Sequence, residues 1–179
     1  MKASIVLYCA MSEDGFIAAE KDNIDFLNDY HVDGEDYGYG HFLSTVETVL
    51  VGRKTYQKVL AMGYPYHEDK SVVVLSHAQP NVHRKNLRFY SGDLLKLCTD
   101  LKNTQQGIIY CDGGAQTAKA LLALGLIDQM VLSILPVHLY KGALLFKNGH
   151  IPKEFQLKNT TSYANGLVQN TFQKKIRSV

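Results

Sequence analysis

The chain has 179 residues, 46% hydrophobic and 20% charged, which is enough apolar material for one domain burying roughly two-thirds of its unfolded surface. A formal net charge of +2 without a block of like charges argues against a nucleic-acid partner, and KSV, HRK and KKIR read as solvated surface. Three widely spaced cysteines without a CxxC pair, and seven histidines without HxH, HxxxH or HExxH spacing, argue against a disulfide framework and a metal site.

The opening run MKASIVLYCAMSEDG is too short in its apolar part for a signal peptide or a membrane span, so a cytoplasmic, reducing setting is expected. Ala3 to Ala10 reads as the first strand. Ile24 to Val46 reads as one or two poor helices interrupted by the glycine-rich DGEDYGYG, a segment that borders a site or forms a plain surface loop. Short β-branched runs follow at Thr48 to Val51, Ser71 to Ser76, Leu87 to Tyr90, Gly107 to Cys111 and Met130 to Val137. Their lack of alternation fits strands buried on both faces. Between them, Arg53 opens a helix with Tyr56, Val59 and Leu60 inward. A second helix starts near Ser91 to Asp93 and presents Leu94, Leu95, Leu97, Cys98 and Leu101. A third presents Ala118, Leu121, Leu122 and Leu124 and stops at Gly125. Phe155 to Tyr163 and Leu167 to Ile176 alternate around Asn165-Gly166, a hairpin signal. With no repeat or linker, residues 1–179 read as a single α/β domain: a mixed, mostly parallel sheet flanked by helices and ending in an antiparallel hairpin.

Three strand ends carry groups suited to an anion. At IIYCDGGAQTAKALLALGLID a strand runs into Gly113 and Gly114 and then a helix, placing backbone N–H groups and the positive end of a helix dipole at a strand terminus. A tight turn packing the helix on the sheet explains the glycines equally well. At TVLVGRKTY, Gly52 ends a strand and Arg53, Lys54 and Thr55 open a helix; Arg53 serves a phosphate or a surface ion pair. At VVVLSH, Ser76 and His77 serve a ligand or a turn. Open α/β sheets bind ligands outside the carboxyl ends of their strands, so the three ends together point to a nucleotide. GxxxxGK[ST] is absent, GxGxxG does not follow the first strand, and HxE with PCxxC does not occur, which sets aside a P-loop, the common Rossmann fingerprint and a zinc deaminase. In CAMSEDGFIA, Ala10 and Ile17 suit the small and branched walls of a hydride-donor pocket, while Gly15 turns the loop over the ring or closes a Ser-Glu-Asp-Gly turn.

AMSEDGFIA, DNIDFL, VGRKTY, VVLS, DGGAQT, LGLIDQMVLSILPV and LLF occur in the order of the dihydrofolate-reductase-like fold. The chain most resembles the C-terminal reductase domain of the riboflavin-biosynthesis deaminase–reductase (RibD) and its stand-alone relatives, over nearly its whole length and without a deaminase half. The resemblance implies a sheet of about eight strands and bound NADPH. It implies that Gly52, Arg53, Lys54 and Thr55 hold the adenosine phosphate side, and that Leu75, Ser76 and His77 line the adenine and 2′-phosphate pocket. Gly113, Gly114, Ala115, Gln116 and Thr117 would cradle the pyrophosphate, and Ala10 and Ile17 would flank the nicotinamide. It also implies a homodimer and a small-molecule substrate. By analogy with the pterin-contacting carboxylate of dihydrofolate reductases, Asp25 is a catalytic candidate, against a plain first-turn helix acid; Asp14 is a second, against a turn role. Family members often carry a PVLLGxG turn after the LP step. Here the turn reads PVHLYKGALLF, with His138, Tyr140 and Lys141, a departure from the family pattern at its substrate pocket.

The expected activity is therefore an NADPH-dependent reductase adding hydride to a C=N or C=O bond of a heterocyclic or sugar-linked substrate, most like 5-amino-6-(5-phosphoribosylamino)uracil reductase. Water, Asp14 or Asp25 would supply the proton. A pterin reductase is the runner-up, and a flavin-using reductase or a nucleotide-binding module without catalysis are the other readings. Gly114→Val is expected to block the pyrophosphate with the fold intact.

Overall fold

A computed structural model describes residues 3–63, 66–78, 80, 84–147 and 149–176. His83 of HRK and Arg177 of KKIR lie outside them. Strands β1 (Ser4–Ser12), β3 (Val46–Gly52), β4 (Ser71–Leu75), β5 (Leu87–Tyr90), β6 (Ile108–Gly113), β7 (Gln129–Leu135), β9 (Phe155–Ser162) and β10 (Val168–Lys174) form one eight-stranded sheet in the order β5-β4-β3-β6-β1-β7-β10-β9. All neighbours from β5 to β7 are parallel, and β10 runs antiparallel to both β7 and β9. The fold is the expected dihydrofolate-reductase-like one. A two-stranded antiparallel sheet of β2 (Phe16–Ala18) and β8 (Ala143–Leu144) is an addition that the sequence pattern hides, because neither strand is long enough to show a period.

The strand cores are buried on both faces, as their unbroken β-branched runs require: Val49, Leu50 and Val51 of β3 and Val72, Val73 and Val74 of β4 have no exposed surface. One face packs Leu50, Ile109 and Cys111 against helices α3 (Leu94–Thr104) and α4 (Ala115–Ala123) through Leu97, Leu101 and Leu121. The other packs Val49, Val51 and Tyr110 against α1 (Tyr39–Ser44) and α2 (Arg53–Ala61) through Phe42 and Tyr56. With helices on both faces, the carboxyl ends of β3, β6 and β1 stand side by side at the middle of the sheet, the region where a doubly wound sheet receives its ligand.

Local signals set the ends of these elements. The Asp93 carboxylate accepts from the Lys96 amide at 2.7 Å and caps α3. Gly125, at φ +65°, ends α4: its N–H donates to Leu122 O and the Leu126 N–H to Leu121 O, both at 2.9 Å, a Schellman closure. The hairpin forms at Asn165-Gly166, but the loop is Ala164-Asn165-Gly166. Gly166 alone takes a positive φ, and its N–H donates to Tyr163 O at 3.0 Å. Leu60, Leu95 and Leu124 leave the expected inward helix faces and are 44%, 49% and 47% exposed: α2 buries Tyr56 and half-buries Val59, α3 buries Leu97, Cys98 and Leu101, and α4 buries Ala118 and Leu121. DGEDYGYG does not merely interrupt a helix: the Asp36 carboxylate accepts from the amides of Gly38 and Gly40 at 2.8 and 2.9 Å, and α1 starts inside it at Tyr39.

Candidate active site

β3 and β6 are neighbours, with Val51 beside Gly113, and each runs directly into a helix. The starts of α2 and α4 therefore lie side by side, and two threonines brace them. The Gly114 N–H donates to Thr55 Oγ1 at 3.1 Å, and a Cβ on Gly114 would stand 2.8 Å from that oxygen. In the mirror relationship, a Cβ on Gly52 would stand 2.7 Å from Thr117 Oγ1. Gly113 takes φ +84°, a conformation that favours glycine, and the space beside it is open. The glycines therefore have the packing role, admitting close helix approach at Gly52 and Gly114, and the turn at Gly113 stays clear of neighbouring atoms. Gly114 does not offer a free amide, since its N–H is committed to Thr55. Donors for an anion come instead from the first turn of α4 at Ala115, Gln116 and Thr117, which among the described residues has no side-chain cap, and from exposed Arg53 and Lys54.

Leu75 pairs with Gly52, which extends this row of strand ends to β4. Ser76 is buried and its hydroxyl donates to Ala78 O at 2.7 Å, so it closes a turn; exposed His77 follows at the surface. On the other side, half-buried Ala10 of β1 pairs with Ser133, and half-buried Ile17 lies on β2. Gly15, at φ +92°, closes a turn by donating to Ser12 O at 2.9 Å.

Neither catalytic candidate has the setting of a proton donor. The Asp14 carboxylate accepts from Ser12 Oγ at 2.6 Å and from the amides of Leu139 and Tyr140 at 3.1 and 2.8 Å. Burial pushes Asp14 up, but the bonds from Ser12, Tyr140 and Leu139 outweigh it and hold the group below the usual carboxylate range. Asp14 therefore pins the PVHLYKG turn to the end of β1, and in that turn Tyr140, at φ +62°, is 79% exposed. Asp25 is exposed and opens the 3-10 segment Asp25–Tyr30; its carboxylate accepts from Asn23 Nδ2 at 2.8 Å, the first-turn role rather than a pocket role.

Asp112 is the ionisable group that sequence reasoning missed. It is the charged residue of β6, one step before the glycine pair, and strand alternation puts it on the face of Tyr110. Tyr110 Oη donates to Asp112 Oδ1 at 2.5 Å, Tyr66 Oη donates to Oδ2, and His67 Nε2 lies 4.0 Å from Oδ2. Burial raises the Asp112 pKa more than the two tyrosines and His67 lower it. Burial and the adjoining carboxylate likewise raise Tyr66 and Tyr110, and push Tyr39 up to about 12. A charged residue ending an apolar strand beside two glycines was the available signal.

The RibD C-terminal domain family matches residues 3–169. The chain belongs to that family. Two relatives in Bacillus subtilis (strain 168) are the uncharacterized proteins YwjB, 31% identical over 169 residues with 93% of this chain and 96% of YwjB covered, and YyaP, 28% identical over 178 residues with 92% of each covered. Among solved structures, a "Putative riboflavin biosynthesis protein" from Shewanella sp. PV-4 superposes with a TM-score of 0.85 at 26% identity, covering 97% of this chain and 99% of that one. Dihydrofolate reductase from Enterococcus faecalis, complexed with NADP(H) and RAB-propyl, gives 0.70 at 14% identity, covering 98% and 99%. A pyrimidine reductase-like protein from Corynebacterium diphtheriae gives 0.66 at 16%, covering 98% and 93%. The last two establish the fold. In this RibD C-terminal domain, Asp112 and the braced glycines lie at the strand ends in the middle of that fold. Among the described residues, no helix is long and apolar enough to cross a membrane.

Proposed function

We propose that the protein is an NADPH-dependent reductase acting on a small heterocyclic or sugar-linked substrate, most like 5-amino-6-(5-phosphoribosylamino)uracil reductase. The observation that carries the proposal is the pair of helix starts braced across Gly52 and Gly114. Two dipole ends and exposed Arg53 and Lys54 meet there beside an open glycine turn, a donor set that fits the phosphates of a dinucleotide. Family membership and the NADP(H) complex of the E. faecalis relative in fold support the same cofactor.

In this reading Ala115, Gln116 and Thr117 bind the pyrophosphate, and Arg53 and Lys54 the adenosine phosphates. Leu75 and His77 border the adenine side; Ser76 shapes their turn. Ala10 and Ile17 wall the nicotinamide and exclude water from it. When bound, NADPH supplies the hydride. Asp14 holds the wall in place through the PVHLYKG turn, which makes that turn an ordered part of the site and weighs against a module that has lost catalysis. Free Cys9, Cys98 and Cys111 suit a reducing cytoplasm. The working unit in this reading is a homodimer, which sedimentation velocity checks. Nicotinamide fluorescence on titration with NADPH tests the cofactor: saturable enhancement supports the proposal, and its absence removes it.

A further inference from the structure

We propose that Tyr140 is the surface on which the substrate's heterocycle stacks, a role that rests on the reductase reading above and names its ring contact. Strand order gives the place. β6, β1 and β7 are consecutive in the sheet, and Ala10 of β1 pairs with Ser133 of β7. A dinucleotide with its phosphates at the starts of α2 and α4 and its nicotinamide at Ala10 and Ile17 spans β3, β6 and β1. Next along that row is the turn that leaves β7 after Leu135 and carries Tyr140. A ring that accepts hydride lies face to face with the nicotinamide, which sets it on the side of this turn.

The turn is held at both ends. At its start the Glu13 N–H donates to Val137 O at 3.0 Å, and the Asp14 carboxylate takes the amides of Leu139 and Tyr140. At its end the Leu145 N–H donates to Gly15 O at 3.0 Å, and β8 pairs with β2, which carries Ile17. Gly142, at φ +139°, packs so closely that a Cβ there would run into Ala18 O. Within this frame Tyr140 takes φ +62°, the left-handed region that favours glycine, at the position where the PVLLGxG pattern has one. Strain of that kind persists only where the surrounding structure imposes it. Packing returns little for it. The ring is 79% exposed, and its aromatic neighbour among the described residues is His138, with centroids 5.8 Å apart and planes tilted by 33°. A strained residue whose ring buries so little is explained by what the ring meets outside the chain.

The phenol offers an electron-rich face, so it selects planar, electron-poor rings such as pyrimidines and pteridines over a bare sugar phosphate. His138 Nδ1 lies 3.8 Å from Glu13 Oε2, a pair that orients the imidazole beside the phenol when it is protonated. Lys141, exposed next in the chain, favours anionic substituents on the bound ring. Recognition thus divides between two ends of the site: the helix starts take the dinucleotide and Tyr140 takes the heterocycle.

The chain has no tryptophan, so Tyr140→Trp places a single indole reporter in the turn. Its fluorescence is followed in the full chain, with and without saturating NADP+, on titration with 6,7-dimethylpterin, 5,6-diaminouracil and ribose 5-phosphate. Saturable quenching by at least one heterocycle, and none by ribose 5-phosphate, is expected. In calorimetry Tyr140→Phe should keep the wild-type affinity for that heterocycle, and Tyr140→Gly should lose about two- to tenfold, the range for one aromatic pair. Tyr140→Gly should also keep a Tm at or above the wild-type value, because glycine relieves the backbone, whereas loss of a tyrosine needed only for packing would lower it. Should Tyr140→Trp fail to fold, the Tyr140→Gly arm decides. Quenching by neither heterocycle, equal affinity in Tyr140→Gly, or a lower Tm in that variant overturns the stacking role, even where NADPH still binds by nicotinamide fluorescence. Heterocycle binding that depends on Tyr140 without NADPH binding removes the reductase reading and leaves the ring contact standing.

Discussion

Thr55 and Gly114 tie together two helices that are distant in sequence: the Gly114 amide donates to Thr55 Oγ1 at 3.1 Å, and a side chain at 114 would collide with the same oxygen. The brace fixes the spacing of the two helix starts, and hence the shape of any anion site between them. Thr55→Val removes a part-buried hydrogen bond worth about 1 kcal/mol. A fall in Tm of roughly 2–4 °C is expected for a domain of this size, with weaker NADPH binding; Thr55→Ser should restore both. Gly114→Val should cost more than Thr55→Val in calorimetry as well as in cofactor titration. The fold is therefore not indifferent to this substitution, contrary to the expectation from sequence.

Arg53 is exposed at the first position of α2 and has a planar donor fork suited to phosphate. If it binds the 2′-phosphate, Arg53→Ala should weaken NADPH by roughly 1.5–3 kcal/mol and NADH much less. Equal losses for the two dinucleotides would move Arg53 to the pyrophosphate; no loss would remove it from the site.

Asp14 carries a pH signature. Its folded pKa is depressed, so its contribution to stability is present above the unfolded value of about 3.9 and is lost as pH falls through the folded value. Asp14→Ala should lower stability at pH 7 by about 1 kcal/mol, a modest figure because the carboxylate keeps solvent contact, and the gap from wild type should narrow as pH falls below the unfolded value. Hydrogen exchange should accelerate at Leu139 and Tyr140.

Asp112 carries the opposite signature. Its folded pKa is raised, so its contribution is most favourable below the unfolded value of about 3.9 and declines as pH rises through the folded value. Asp112→Asn keeps hydrogen-bonding capacity toward Tyr66 and Tyr110 without a buried charge. Thermal melts should show the variant about 2–4 °C above wild type at pH 8, equivalent to ~1 kcal/mol, and no gain at pH 3.

The eight strands of the main sheet, helices α2, α3 and α4 and the final hairpin were legible because their signals are local. Val72 to Val74 sit in an unbroken buried run, Asp93 caps α3, and Gly125 closes α4. The β2–β8 sheet was not legible, since three-residue and two-residue strands have no period to read. In the site, the glycine turns and the basic start of α2 could be seen along the chain, but the Thr55–Gly114 hydrogen bond joins residues 59 positions apart. The roles of the acids depended on such distant contacts. Asp14 spends its carboxylate on amides 125 and 126 residues away, and the Asp112 cluster takes Tyr66 from 46 residues upstream. Chain order gives no measure of these approaches; only the packed sheet brings them together.

A dinucleotide held between the starts of α2 and α4 is tested most directly by equilibrium titration of the purified protein with NADPH and NADH, followed by nicotinamide fluorescence, in the wild type and in Gly114→Val. Saturable one-to-one binding of NADPH, tighter than NADH and weakened in Gly114→Val, is the predicted result. No saturable response to either nucleotide, or NADPH binding that is unchanged in folded Gly114→Val, would contradict it.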